Sequence, residues 1–249
     1  MADADLVERD RELQSLGTLV ARAAAGEGRL ALIEGPAGIG KSRLLAEARR
    51  QAADAGMLVL AARAGELERE FPFGAVRQLL EGELADEARR ARLLSGAAAG
   101  AAAVFGDVAQ QPAGPEPEDA SFAALHGLFW LVLNLAAERP VLLAVDDLHW
   151  CDRPSLRFIA YLARRLEDVP VLLAASWRTT DPGTDPVLLS ELAQDPDVAA
   201  VRPGPLTEAA VAEVVRAALG PAAEAAFCAA CHGATGGNPL LLRQLLRAL

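Results

Sequence analysis

The chain has 249 residues, is 52% hydrophobic but only 4% aromatic, and carries a net charge of −10. That length fits one large α/β domain, or one domain and part of a second, around an aliphatic core. The acidic balance excludes a surface that attracts nucleic acid or anionic membrane over its whole extent, and three cysteines in so core-rich a chain do not suggest a disulfide scaffold.

The first residues, MADADLVERDREL, are charged and lack the apolar run of a signal peptide. No apolar run is long enough to span a bilayer. The longest, Phe122–Ala137, contains His126 and Asn134 and reads as a buried helix. Together these features point to a cytoplasmic protein. Asp5–Ala25 reads as a charged lead into an amphipathic helix. Arg29–Glu34 is a short apolar strand, Gly35–Gly40 a glycine-rich turn, Lys41–Ala55 a helix and Met57–Ala64 a second strand. That βαβ unit implies a parallel sheet. Phe71–Leu94 reads as helical with FPFG at its entrance, and the Ala-, Gly- and Pro-rich Ala97–Asp119 as a flexible surface excursion. Ser121–Glu138 is a helix with Asp119 or Ser121 as N-cap. Val141–Asp146 is a third strand, Pro154–Leu166 a helix and Val171–Ser176 a fourth strand. Val187–Ala193 reads as a short helix and Val198–Arg202 as a weak fifth strand. Beyond Pro203 the pattern turns helical: Thr207–Leu219, Ala222–Cys231 and Pro239–Leu249. The chain stops inside that last helix, which reads as a piece of a longer polypeptide.

Of the 24 Lys and Arg residues only Lys41 is lysine. It lies in Gly35-Pro36-Ala37-Gly38-Ile39-Gly40-Lys41-Ser42, a full match to G-x-x-x-x-G-K-[ST] between a strand and a helix. Glycines let successive N–H groups turn toward one anion, and the following helix adds its positive end. A compact ammonium at Lys41 suits the β- and γ-phosphates, where arginine does not. Ser42 offers an oxygen to Mg²⁺, and Arg43 follows it into the helix. The strand Val141–Asp146 delivers Asp146 and Asp147 to the C-terminal edge of the sheet, where ligands of parallel sheets bind. Asp146 is placed to hold Mg²⁺ and Asp147 to orient or deprotonate an attacking water; an ordinary strand end followed by an Asp-rich turn is the plainer alternative. Arg178, just past the fourth strand, is a candidate sensor of the γ-phosphate or an ordinary surface arginine.

Cys228-Ala229-Ala230-Cys231-His232 has the form of a haem attachment sequence, but it sits in an Ala-rich helix and reads as packing. Two sulfurs and one histidine also lack a fourth zinc ligand. Trp150 and His126 read as structural. His149 stands near enough to the acidic pair to touch it or the magnesium shell. FPFG is a packed corner or a docking corner for the segment after it.

VERDREL, GPAGIGKSRLL, VDDLHWCD, the strand leading to Arg178 and TGGNPLLL occur in the order found in one family. Together they resemble the STAND-class signal-transduction ATPases, most of all the nucleotide-binding module of large ATP-binding LuxR-type transcriptional regulators. The resemblance runs from Leu6 to Leu249. It implies a three-layer α/β P-loop fold with a five-stranded parallel sheet in the order 5-1-4-3-2, followed by part of a helical lid. It places a nucleotide-binding domain at residues 1–203 and an incomplete lid at 204–249. It also implies that Val7, Glu8 and Arg9 help enclose adenine, and that Gly237-Asn238-Pro239 closes on the base, with Pro239 in contact.

The function expected from this is an ATP-binding, slowly hydrolysing switch that takes ATP or ADP with Mg²⁺. Its partners would be the rest of a regulator chain and, on nucleotide binding, further copies of itself. No helix-turn-helix is recognisable, so these residues are not expected to bind DNA themselves. Three other readings stand beside it: an AAA+ motor or remodeller, a small-molecule kinase, and the same switch joined to a kinase or cyclase output domain.

Overall fold

The computed structural model describes residues 6–106, 118–181 and 183–248. Helix α1 (Asp10–Ala24) leads into β1 (Arg29–Glu34), α2 (Lys41–Asp54) and β2 (Leu58–Arg63). Then come α3 (Gly74–Leu80), α4 (Glu87–Leu93) and α5 (Glu118–Glu138). Strand β3 (Val141–Asp146), α6 (Arg153–Ala163), β4 (Val171–Trp177), α7 (Pro186–Gln194) and β5 (Ala199–Val201) complete the sheet region. Three helices follow: α8 (Glu208–Leu219), α9 (Ala225–Thr235) and α10 (Pro239–Ala248).

The five strands form one all-parallel sheet in the order β2-β3-β4-β1-β5, the expected order read from its other edge. Strand periodicity divides the core into two layers. Ala31 and Ile33 of β1, Leu142 and Ala144 of β3, and Leu172 and Ala174 of β4 pack with Leu16, Val20, Leu44 and Ala48 of α1 and α2. Their neighbours Leu30, Leu32, Leu143, Val145, Leu173 and Ala175 face the other way, onto α3, α5 and α6. A sheet covered on both faces requires the unbroken apolar strands seen in the sequence. Helices α8–α10 close around a separate cluster that includes Leu206, Val211, Val215, Cys228, Cys231 and Leu242. Both cysteines of the Cys228–His232 stretch are thus packing groups. No helix among the described residues is long and apolar enough to cross a membrane.

Three expectations are corrected. Phe71–Leu94 is not one helix: α3 stops at Leu80, a 3-10 turn spans Glu81–Leu84, and α4 starts afresh at an N-cap where Asp86 accepts from Arg89 N–H at 2.8 Å. The Ala-rich stretch is not a free excursion where it is described. Gly96–Phe105 forms 3-10 turns that bury Ala98, Ala101, Val104 and Phe105 against α5. Small residues make this possible: a Cβ on Gly127 of α5 would lie 2.3 Å from Ala101 N, and one on Gly100 would lie 2.4 Å from Ala123 O. Residues 107–117, the rest of that expectation, lie outside the described residues. Asp119 and Ser121, the expected N-caps, both fall inside α5 (Glu118–Glu138) rather than ahead of it.

Candidate functional site

The glycine loop joins β1 to α2, with Gly38 (φ 77°) and Gly40 (φ 108°) in the left-handed region. Gly40 is the N-cap of α2, so the positive helix end faces the loop. Lys41, 6% exposed, folds back so that Nζ donates to Gly35 O and Pro36 O, both at 2.9 Å. Burial and the nearby Arg178 lower its pKa, while Asp147 and Asp146 oppose them. Arg43 lies in the first turn of α2, its N–H on Gly40 O at 3.1 Å.

Asp146 and Asp147 stand at the C-terminal end of β3, as parallel strands with their chain reversed past the edge must deliver them. Ser42 Oγ donates to Asp146 Oδ1 at 3.0 Å, so the loop and the acidic strand meet directly. Ser176, fully buried at the end of β4, ties the pair together: its Oγ donates to Asp146 Oδ1 at 2.5 Å and accepts from Asp147 N–H at 2.9 Å. Asp147 sits at φ 56°, a conformation Asp tolerates better than most residues. That turn buries its side chain beside its neighbour. Burial, then repulsion from Asp146, raise the Asp147 pKa against the pull of Arg178, Arg63 and Lys41.

Two arginines flank Asp147. Arg178 Nε lies 3.6 Å from Oδ1, and its guanidinium stacks 4.7 Å from the Trp150 ring. Arg63, whose position in β2 is in register with Asp146, lies 3.9 Å from Asp147 Oδ2 and 4.0 Å from Asp146 Oδ2. A cleft of about 310 Å³ opens here, lined by Ser42, Arg63 and Asp146 among others. His149 is fully buried, with Nε2 3.9 Å from Asp147 Oδ1 and 3.8 Å from Asp181 Oδ2; burial lowers its pKa to about 4, so it is neutral near pH 7. Ser42 and Asp146 form an all-oxygen donor set open to the cleft, which fits a hard ion such as Mg²⁺.

The residues expected near adenine bridge the loop to the C-terminal helices. Arg9, 4% exposed, donates to Gly204 O at 2.6 Å and to Ile39 O at 3.4 Å. Glu8 (φ 57°) receives Thr207 N–H and Oγ1, each at 2.8 Å, which lowers its pKa. Val7 packs on the cluster of α8–α10. Pro239 opens α10. Asn238 before it caps that helix, with Oδ1 accepting from Leu240 and Leu241 N–H, and donates Nδ2 to Ala37 O at 2.9 Å. Leu240 N–H reaches Gly38 O at 3.2 Å, and a Cβ on Gly38 would lie 2.7 Å from Asn238 Oδ1.

Sequence reasoning named Asp146, Asp147, Arg178 and the loop, and the fold brings them together. It missed Ser176, Arg63, Asp181 and the loop-gripping amide of Asn238. A serine ending an otherwise apolar strand was a readable signal for Ser176. Arg63 could have been found only through the register of β2 with β3. His126 accepts from Trp130 Nε1 at 3.0 Å and stacks on Phe122, away from this site.

A glycine loop before a helix, with a carboxylate pair at the end of a neighbouring parallel strand, defines the P-loop nucleoside triphosphatase class. Residues 5–174 match the AAA ATPase domain family, and the chain belongs to it. An uncharacterized protein of Rhizobium meliloti (strain 1021) is 29% identical over 194 residues, 70% of this chain and 18% of that protein. Among solved structures, a STAND protein with a tetratricopeptide repeat sensor from Pyrococcus horikoshii aligns with a TM-score of 0.57 at 19% identity, over 98% of this chain and 30% of its own. The Aeropyrum pernix ORC2 protein gives 0.56 at 15% identity, over 96% and 61%. At such identities the likeness speaks for the fold alone. The chain spans about a fifth of the curated relative and under two thirds of each of these structures.

Proposed function

We propose that this chain is an ATP-driven switch module within a longer regulator of the LuxR type. Residues 1–203 would hold the nucleotide and 204–249 would respond to it. In this reading the loop N–H groups and Lys41 cradle the phosphates, while Ser42 and Asp146 hold Mg²⁺. Bound Mg²⁺ would neutralise charge on the β- and γ-phosphates. Asp147 orients the attacking water, and Arg178 contacts the γ-phosphate and stabilises charge there. Val7–Arg9 and Pro239 line the adenine side.

One observation carries the reading: Asn238 and Leu240 of the C-terminal region bond directly to carbonyls of the phosphate loop. Any change in that loop on binding nucleotide acts on the start of α10 without an intermediary. Such a contact offers a route by which a bound phosphate biases a two-state element.

The test is calorimetric titration of the chain with ADP, a non-hydrolysable ATP analogue and GTP, each with Mg²⁺. Adenine-selective binding is expected. Lys41→Ala should remove it while the circular dichroism spectrum stays unchanged. Losing charge-assisted contacts of ~2 kcal/mol or more corresponds to at least about thirtyfold in Kd. Tight binding retained in Lys41→Ala would defeat the assignment.

A further inference from the structure

We infer that His149 is a two-position hydrogen-bond donor that couples the acidic pair to the loop after β4. Its ring is fully buried, and neither ring nitrogen has a hydrogen-bond partner among the described residues. Nε2 stands between two carboxylate oxygens, 3.9 Å from Asp147 Oδ1 and 3.8 Å from Asp181 Oδ2. Both distances exceed a hydrogen bond by roughly an ångström. A neutral imidazole has a single N–H, so it can serve one carboxylate and not both. A buried donor left unmade is costly, so the ring is under pressure to move onto either acceptor.

Each acceptor belongs to a different part of the machinery. Asp147 carries the two arginines that flank the phosphate side. Asp181 holds the loop: it accepts from Gly183 N–H at 3.0 Å and from Trp150 Nε1 at 3.2 Å. The His149 carbonyl also accepts Thr184 N–H at 2.9 Å, and a Cβ on Gly183 would lie 2.7 Å from that oxygen. Thr184 leads to Asp185, the N-cap of α7. A shift of the ring is therefore felt at Asp181 and at residues 183–185. With Asp147 at rest, Nε2 stands between the two carboxylates and is bonded to neither. When Asp147 is drawn toward the nucleotide, the donor passes to Asp181 and the loop tightens. This inference rests on the nucleotide-binding reading above.

The experiment uses the full chain labelled with ¹⁵N-histidine, whose three histidines are separable by one His149→Gln control. Ring ¹⁵N resonances are recorded with and without Mg²⁺ and the non-hydrolysable ATP analogue, with calorimetry on the same sample. The expected result is a shift of His149 Nε2 on saturation, reduced in Asp181→Asn. Saturated binding with an unmoved His149 would overturn the inference and leave the nucleotide site standing. If calorimetry shows no binding, the nucleotide reading fails, and the ligand-free protein still decides the coupling. There, Asp147→Asn and Asp181→Asn should each move the resonance, and insensitivity to both would overturn it.

Discussion

Asp147 is the residue where environment decides chemistry. It is buried beside Asp146, and its pKa lies above the ordinary carboxylate value of 3.8. A base so placed is a better proton acceptor than a free carboxylate. Asp147→Asn keeps the shape and the N–H bond to Ser176 but removes the proton acceptor. Nucleotide binding should persist while hydrolysis falls by about a hundredfold or more, measured as phosphate release. In the parent, turnover should decline as pH drops through the raised value, earlier than for an ordinary Asp. Unchanged turnover in Asp147→Asn would remove Asp147 from the mechanism. His149 works in the opposite sense for stability. Its folded pKa is depressed from 6.5 to about 4, so the unfolded chain takes up its proton first as pH falls. The stability it contributes is whole above pH 6.5 and drains away down to about pH 4, by up to ~3 kcal/mol. Denaturant unfolding of the parent and His149→Phe across that window should show the parent losing more. Parallel losses would mean His149 does not titrate as described.

Elements were legible where one layer of physics ruled. Strands β1, β3 and β4 are unbroken apolar runs, and their sequence-based limits fall within a residue of those observed. The failure at Phe71–Leu94 has a long-range cause. Asp152, 3% exposed at the end of VDDLHWCD, accepts from Phe73 N–H at 2.8 Å and Ala75 N–H at 3.3 Å while capping α6 through Ser155 N–H at 2.9 Å. One carboxylate thus starts two helices, 77 residues apart where it meets Ala75. No local pattern around FPFG announces that. Phe73 sits at φ 58° because the corner is fixed from outside. Asp152→Ala should leave these N–H groups buried without partners and destabilise the fold by ~2–4 kcal/mol. Asp152→Asn, which keeps one acceptor oxygen for Phe73 and Ser155 N–H and loses the longer bond to Ala75 N–H, should cost less, about 1–2 kcal/mol. The denaturation midpoints of the two variants check this, and equal losses would mean that charge or packing, not the paired acceptors, fixes the corner.

At the scale of the whole molecule, polar contacts tie the C-terminal helices to the phosphate loop and the segment before α1. Arg9 spans Ile39 O and Gly204 O, Glu8 holds Thr207, Leu240 N–H reaches Gly38 O, and Asn238 grips Ala37 O. The motifs at each end of this junction were readable in the sequence, but that they grip each other was not, because the pairs lie about 200 residues apart. Hydrogen bonds at such a junction can open locally at modest cost, which suits an element that must move. Asn238→Ala removes the bond to the loop and the cap of α10 together. It should free the first turn of that helix by ~1–2 kcal/mol, seen as roughly five- to thirtyfold faster amide exchange at Leu240 and Leu241. Exchange deep in the sheet, at Leu143 or Leu173, should not change. If Asn238 transmits the state of the loop, nucleotide will slow exchange at α10 in the parent and fail to do so in Asn238→Ala. Equal slowing in both would mean that Arg9 and Leu240 N–H carry the connection without it.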